Sequence, residues 1–193
     1  IPPQVNLYHL LTMTAGIADW FDESGDWEAN WEALRRKHPL YLLRENRDYL
    51  PLFIHQEPEF SPGEKHKYSG ASYILLGLAI EKASGMTYKD FVRQNVFVKA
   101  GMQASDFIAL DEPASNVAEG YIPIRDSQDT IRGWKKNIYA ITPEAAADGG
   151  ATSTSADLVR FSQALRSGKL LSSQWTQAIL NPQVLQSDQK VRG

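Results

Sequence analysis

The chain contains no cysteine. Disulfides, thiolate nucleophiles and cysteine-based metal sites are therefore excluded. The absence fixes no compartment, because exported and cytosolic proteins both occur without disulfides. Long apolar runs are missing as well: the longest, Tyr73 to Ile80, is too short to span a bilayer. No positively charged segment followed by an apolar stretch opens the chain. Basic residues form no stripe; 20 Lys and Arg stand against 23 Asp and Glu, for a net charge of −3, so nucleic acid is not indicated as a partner. His9, His38, His55 and His66 have no metal-ligand spacing, and neither a metal nor an organic cofactor is expected. Asp148-Gly149-Gly150 is no phosphate loop, since no strand–glycine–lysine order surrounds it. Ile1-Pro2-Pro3 opens the chain without Met, which suggests processing or excision.

What is present is ordinary for a folded domain. The 193 residues are 42% hydrophobic, 22% charged and 10% aromatic, enough for one domain over 1–193 with a real core. Leu7 to Met13 reads as a short apolar helix, with Gly16 as its left-handed cap. Trp27, Trp31 and Leu34 fall at helical spacing and predict an amphipathic helix over Trp27 to Lys37. Leu40 to Ile54 reads as irregular helix interrupted by Pro51. Ala71 to Ala83 is apolar nearly all round, which predicts a central buried helix ending at Gly85. Thr87-x-x-Asp90 and Thr154-x-x-Asp157 have capping-box spacing and open two further helices, one to about Lys99 and one through Leu165. Between them, Glu119 to Ile124 and Ile131 to Tyr139 read as an irregular hairpin, and Asp148-Gly149-Gly150 as a tight turn. A last helix runs from Ser172 to about Leu180, and residues 183–193 read as a frayed tail. The predicted class is mostly α with a small irregular β part.

Chemistry concentrates in Phe60-Ser61-Pro62-Gly63-Glu64-Lys65-His66-Lys67-Tyr68-Ser69-Gly70, which runs directly into the apolar helix. Pro58 and Pro62-Gly63 bracket a rigid turn before Tyr68. Taken by itself, Tyr68 is a turn residue that packs its ring, and Lys65 and Lys67 are solvated loop charges. One Ser-x-x-Lys spacing occurs, at Ser187 to Lys190. Fifteen serines and ten lysines give roughly 0.8 such spacings by chance, and no apolar helix follows this one.

Four segments, in order, resemble the serine beta-lactamase and penicillin-binding-protein family, in its class C and esterase-like branch. They are Leu7 to Ile17, Phe60 to Gly77, Glu81 to Tyr88 followed by Gly101-Met102, and Gly149 to Phe161. The resemblance implies the helical region of that α/β fold, with the family's main sheet largely absent. It implies a serine acyl-hydrolase parent whose small-molecule substrate is a beta-lactam, a D-Ala peptide or a small ester. Tyr68 would be the catalytic tyrosine, and Ser69 and Gly70 would belong to the substrate-binding part of its motif. In that family the tyrosine acts beside a serine and a lysine spaced one helical turn apart, and a nearby ammonium lowers the phenol's pKa toward neutrality. Here the nucleophile motif would fall before Ile1, and the third motif, Lys or His then Thr or Ser then Gly, is not found. Gly70 stands where the family usually has asparagine, which turns the expectation from beta-lactams toward esters or peptides. Trp20 and Trp134 are expected to border the cleft. The alternative is a non-catalytic binding or interaction module reusing the fold. Export is expected from the resemblance, and so is dimerisation through apolar surface bared by excision.

Overall fold

The computed structural model describes residues 1–21, 23, 25–185 and 191–192. It is mostly helical, and among the described residues the strands form two two-stranded antiparallel ladders. Asn6 accepts from the His9 N–H at 3.0 Å and starts α1, Leu7–Leu11. The helix stops earlier than the sequence predicts, and Met13 rather than glycine takes the first left-handed position, at φ 54°. Gly16, at φ 70°, is needed for a different reason: a Cβ there would stand 2.0 Å from the Phe60 carbonyl oxygen. The close approach is built from backbone bonds. Glu59 N–H donates to Gly16 O at 2.8 Å, Gly63 N–H to Thr14 O at 2.8 Å and Lys67 N–H to Met13 O at 3.1 Å. The first two resembling segments are thus zipped to one another directly.

α2, Trp27–Lys37, has the predicted bounds, and Asp26 caps it through the Ala29 N–H at 3.1 Å. After a 3₁₀ turn at Leu40–Leu42, α3 spans Asn46–Phe53 and opens with a Glu45/Asp48 capping box. Pro51 lies inside α3 and does not interrupt it. Burial of Tyr49 and Phe53, at 2% and 1% exposure, holds the helix through the one backbone bond that proline removes. α4, Gly70–Ser84, begins at the Ser69 cap and ends at Gly85, φ 71°. It packs against α1, α3 and α5. Ala71, Ile74 and Gly77 are buried, but Leu75, Leu76 and Leu78 are only partly so, which corrects the expectation of burial all round. α5, Tyr88–Val92, passes through a π turn at Arg93–Phe97 into α6, Val98–Ala100, and Gly101 closes the run at φ 77°.

The hairpin pairs β1, Tyr121–Arg125, with β2, Ile131–Lys136, with a bulge between Ile124 and Arg125. Asp126 organises its turn by accepting the Gln128 and Thr130 N–H groups. α7, Ser155–Arg166, is capped by Thr154, and α8 is Ser173–Leu180. Beyond α8, β3 (Val184–Leu185) pairs with β4 (Val191–Arg192), inside the stretch expected to fray.

Two buried clusters result. One gathers Leu10, Ile17, Leu43, Tyr49, Phe53, Ile74 and Ala146; the other gathers Phe97, Met102, Phe107, Ala145 and Ala164. Consecutive alanines, Ala145 and Ala146, therefore belong to different clusters. A Cβ on Gly77 would lie 2.5 Å from that of Ala147, so this same segment sits flush on α4. Large apolar side chains stay exposed on α1 (Leu7, Leu11), α7 (Leu158, Val159) and α8 (Trp175, Ile179).

Candidate active site

The backbone zipper of Met13–Gly16 with Glu59–Lys67 carries Tyr68 to the N-terminal end of α4, where the residue is 51% exposed. Ser69 is buried behind it. Its hydroxyl accepts from the Ser72 N–H and from Ser72 Oγ, both at 3.2 Å, so it serves as the helix cap. The flanking lysines are engaged away from the phenol: Lys65 lies 4.9 Å over the Phe60 ring, and Lys67 pairs with Glu59.

Two carboxylates converge on Gly70. Asp19 accepts the Gly70 and Ala71 N–H groups through its two oxygens, each at 2.9 Å, capping the first turn of α4 from another part of the chain. Asp148 accepts the Trp20 indole N–H at 2.9 Å. A side chain on Gly70 would begin 2.8 Å from Trp20 Nε1, 3.3 Å from Asp148 Oδ2 and 3.4 Å from Asp19 Oδ1. The space that an asparagine would need is filled by the Trp20 ring, which packs edge-on against Tyr49 at 5.1 Å. Glycine at position 70 is thus a steric requirement of this arrangement.

Burial governs the electrostatics. It pushes the Asp148 carboxyl up to about 6, against the Trp20 hydrogen bond and with the Asp19 charge adding to it. It also raises Asp19, opposed by the backbone N–H groups of Ala71, Gly70 and Trp20. The Tyr68 phenol is held above its ordinary range, first by burial and then by the charges of Glu23, Asp19 and Asp148. That direction is opposite to the lowering the resemblance implies for a complete site beside an ammonium. Burial and the Asp148 charge likewise raise Tyr49 and Tyr88.

The structure therefore brings Tyr68, Ser69 and Gly70 together with Asp19, Trp20 and Asp148. Of the last three, only Trp20 was predicted near the cleft. Asp148 carried a signal, an acid before paired glycines, but that signal reads equally as a turn. Trp134 lies on β2, opposite Pro123 and largely exposed. Ser187 and Lys190 lie outside the described residues. Among the described residues, no group of three His, Asp or Glu side chains is placed to hold a metal ion, and no helix is long and apolar enough to cross a membrane.

Tyr68 is thus presented at the head of a central helix, over a buried turn. The family model described as Beta-lactamase matches residues 2–193, and the chain belongs to that family. The crystal structure of a penicillin-binding protein from Bacillus halodurans is similar at TM-score 0.87 and 38% identity, over 99% of this chain and 55% of that one. Penicillin-binding protein 4* of Bacillus subtilis (strain 168) is 28% identical over 186 residues, which are 92% of this chain and 39% of that protein. A D-amino acid amidase from Ochrobactrum anthropi SV3, solved with D-phenylalanine, shares the fold at TM-score 0.69 and 22% identity. The chain thus spans between 39% and 55% of the length of the first two relatives.

Proposed function

We propose that these 193 residues are the helical region of a serine acyl hydrolase, with Tyr68 as the group that exchanges a proton with a serine nucleophile supplied by residues outside them. The observation that carries this reading is the half-exposed Tyr68 phenol at the head of α4, fixed there by the zipper and the Asp19 cap. A serine hydroxyl needs a neighbouring base to become a nucleophile, and a phenol near an ammonium takes that role. Ser69 and Gly70 belong to the substrate side of the site by the resemblance, although the Ser69 hydroxyl is engaged as the α4 cap and the Gly70 N–H is donated to Asp19. Gly70 and the Trp20 ring that fills its space tilt the reading away from beta-lactams and toward small esters or peptides, because the asparagine side chain usual at this place in the family is missing. The family's main sheet would come from the same outside residues, and the relatives' greater length supports this. Export follows the same reading, and so does dimerisation of the isolated chain through the exposed apolar residues of α1, α7 and α8.

The second reading, a non-catalytic binding module, draws support from one observation: the Tyr68 phenol is held above its ordinary range by burial and acidic neighbours. One experiment separates the two. The 193-residue chain, and a longer version carrying the residues encoded around it, are incubated with a chromogenic beta-lactam and with p-nitrophenyl acetate, then examined by mass spectrometry. The hydrolase reading expects no adduct on the short chain, a serine adduct on the long one, and roughly a hundredfold slower acylation in the long Tyr68→Phe variant. No adduct on the long chain, or an adduct on Ser187 of the short one, overturns it.

A further inference from the structure

Beside the Tyr68 centre lies an open groove of about 880 Å³. Trp20 and Phe21 form the end nearest Gly70, Trp27 and Trp31 of α2 form one wall, and Ile122 of β1 with Ile141 forms the other. The rings are mutually braced: Phe21 meets Trp31 edge-on at 4.7 Å, and Trp20 meets Trp31 at 6.1 Å. The Trp31 indole N–H donates to Ala140 O at 2.6 Å, which ties the α2 wall to the opposite one. The groove is therefore a preformed cleft with an aromatic wall.

Two residues join it to the candidate active site. Trp20 is both a groove wall and the ring that occupies the space above Gly70. Glu23 lies on the groove and its charge acts on the Tyr68 phenol. The rim mixes Glu23, Glu28 and Glu32 with Arg35 and Arg125, and Glu32 already pairs with Arg35. The end nearest Gly70 is backed by Asp148 through the Trp20 hydrogen bond. An anionic group would meet carboxylates at the end nearest Tyr68, while a neutral aromatic group meets ring faces and aliphatic side chains.

We propose that this groove is the specificity subsite of the Tyr68 centre, and that it takes the aromatic group of an uncharged ester or amide substrate. Its volume lies within the range of sites that enclose drug-sized ligands, which accommodates a one- or two-ring group with a short linker. The inference rests on the hydrolase reading for its link to chemistry, whereas binding in the groove is measurable without any reaction.

The test uses the 193-residue chain, labelled with ¹⁵N, and follows the five tryptophan indole N–H signals. Titration with 2-naphthylacetamide is expected to shift the Trp20, Trp27 and Trp31 signals saturably and to leave Trp175, on α8, unmoved. Acetamide at the same concentration shifts none, and 2-naphthylacetate binds about fivefold more weakly. Trp27→Ala, a change at an exposed position of α2, weakens the amide about tenfold. Ile141→Arg, on the opposite wall, does the same, and circular dichroism checks that each variant folds. Absence of saturable shifts, shifts shared equally by Trp175, or the same shifts on simply concentrating the unliganded chain would overturn the proposal, the last by showing a second copy in the groove. Groove binding by a long chain that forms no acyl-serine would sink the hydrolase reading and leave the subsite standing. Acylation with an unchanged preference for naphthyl over acetyl esters in Trp27→Ala would sink the subsite alone.

Discussion

Asp148→Asn isolates the energetic consequence of burying a carboxylate at the site. Asp148 titrates near 6 in the folded chain against 3.8 for an unperturbed side chain. Between those values the folded state holds a proton that the unfolded state has released, so stability falls as pH rises through this window. The gap of just over two units corresponds to about 3 kcal/mol, fully present as a penalty above pH 6 and absent below about pH 4. Asparagine keeps the shape and an oxygen that accepts from Trp20 Nε1, and it removes the charge. Urea unfolding of wild type and variant at pH 4 and pH 8 measures the difference. The variant is expected to match the wild type at pH 4 and to exceed it by up to about 3 kcal/mol at pH 8. Phenolate absorbance gives a second readout, because loss of the Asp148 charge lowers the titration midpoint of Tyr68. A variant no more stable than the wild type at pH 8, or a difference equal at both pH values, would refute the reasoning.

Other substitutions probe the same construction. Gly70→Asn, which restores the residue usual at this place in the resembling family, forces Trp20 off Asp148 and is expected to cost about 1–3 kcal/mol in thermal unfolding; a second change, Trp20→Ala, recovers part of that loss, and additive losses would show that the two positions do not compete for space. Gly16→Ala meets both a left-handed φ and the Phe60 carbonyl, so a loss of at least about 2 kcal/mol is expected, and a change under 0.5 kcal/mol would remove the zipper from the account. Lys89, buried on α5, donates to Arg44 O at 2.8 Å and pairs with Glu144. Lys89→Met is expected to cost about 2 kcal/mol in urea unfolding, less than a fully orphaned charge would, because Arg44 remains 3.6 Å from Glu144; a neutral outcome would mean that packing alone compensates.

Much of the helical order is legible in the sequence because local chemistry sets it. Capping residues at Thr87 and Thr154 mark helix starts, and Gly85 marks an end; the caps at Asp26 and Ser69 emerge only in the structure. The errors fall where distant contacts override local preference: Pro51 is carried within α3 by the burial of its neighbours, and Gly16 answers to a carbonyl more than forty residues away. At the candidate site, Tyr68 is legible because its motif is contiguous. Asp19 and Asp148 are not, since they are separated in sequence from each other and from Gly70; nothing local distinguishes Asp19, and the glycine pair after Asp148 reads equally as a turn. The upward direction of the Tyr68 pKa is equally a product of that assembly.

The placement of Ala145 and Ala146 in different buried clusters bears on how the molecule comes apart. Separate cores in one chain ordinarily permit stepwise melting, each losing structure at its own temperature. Here neighbouring residues on one short segment are committed to both, and the next two, Ala147 and Asp148, rest on α4 and beneath Trp20. Neither core can loosen without dragging that segment from the other. The two halves are therefore expected to share one fate, a single melting transition in calorimetry, with the geometry around Tyr68 lost at the same moment as the packing around Phe107.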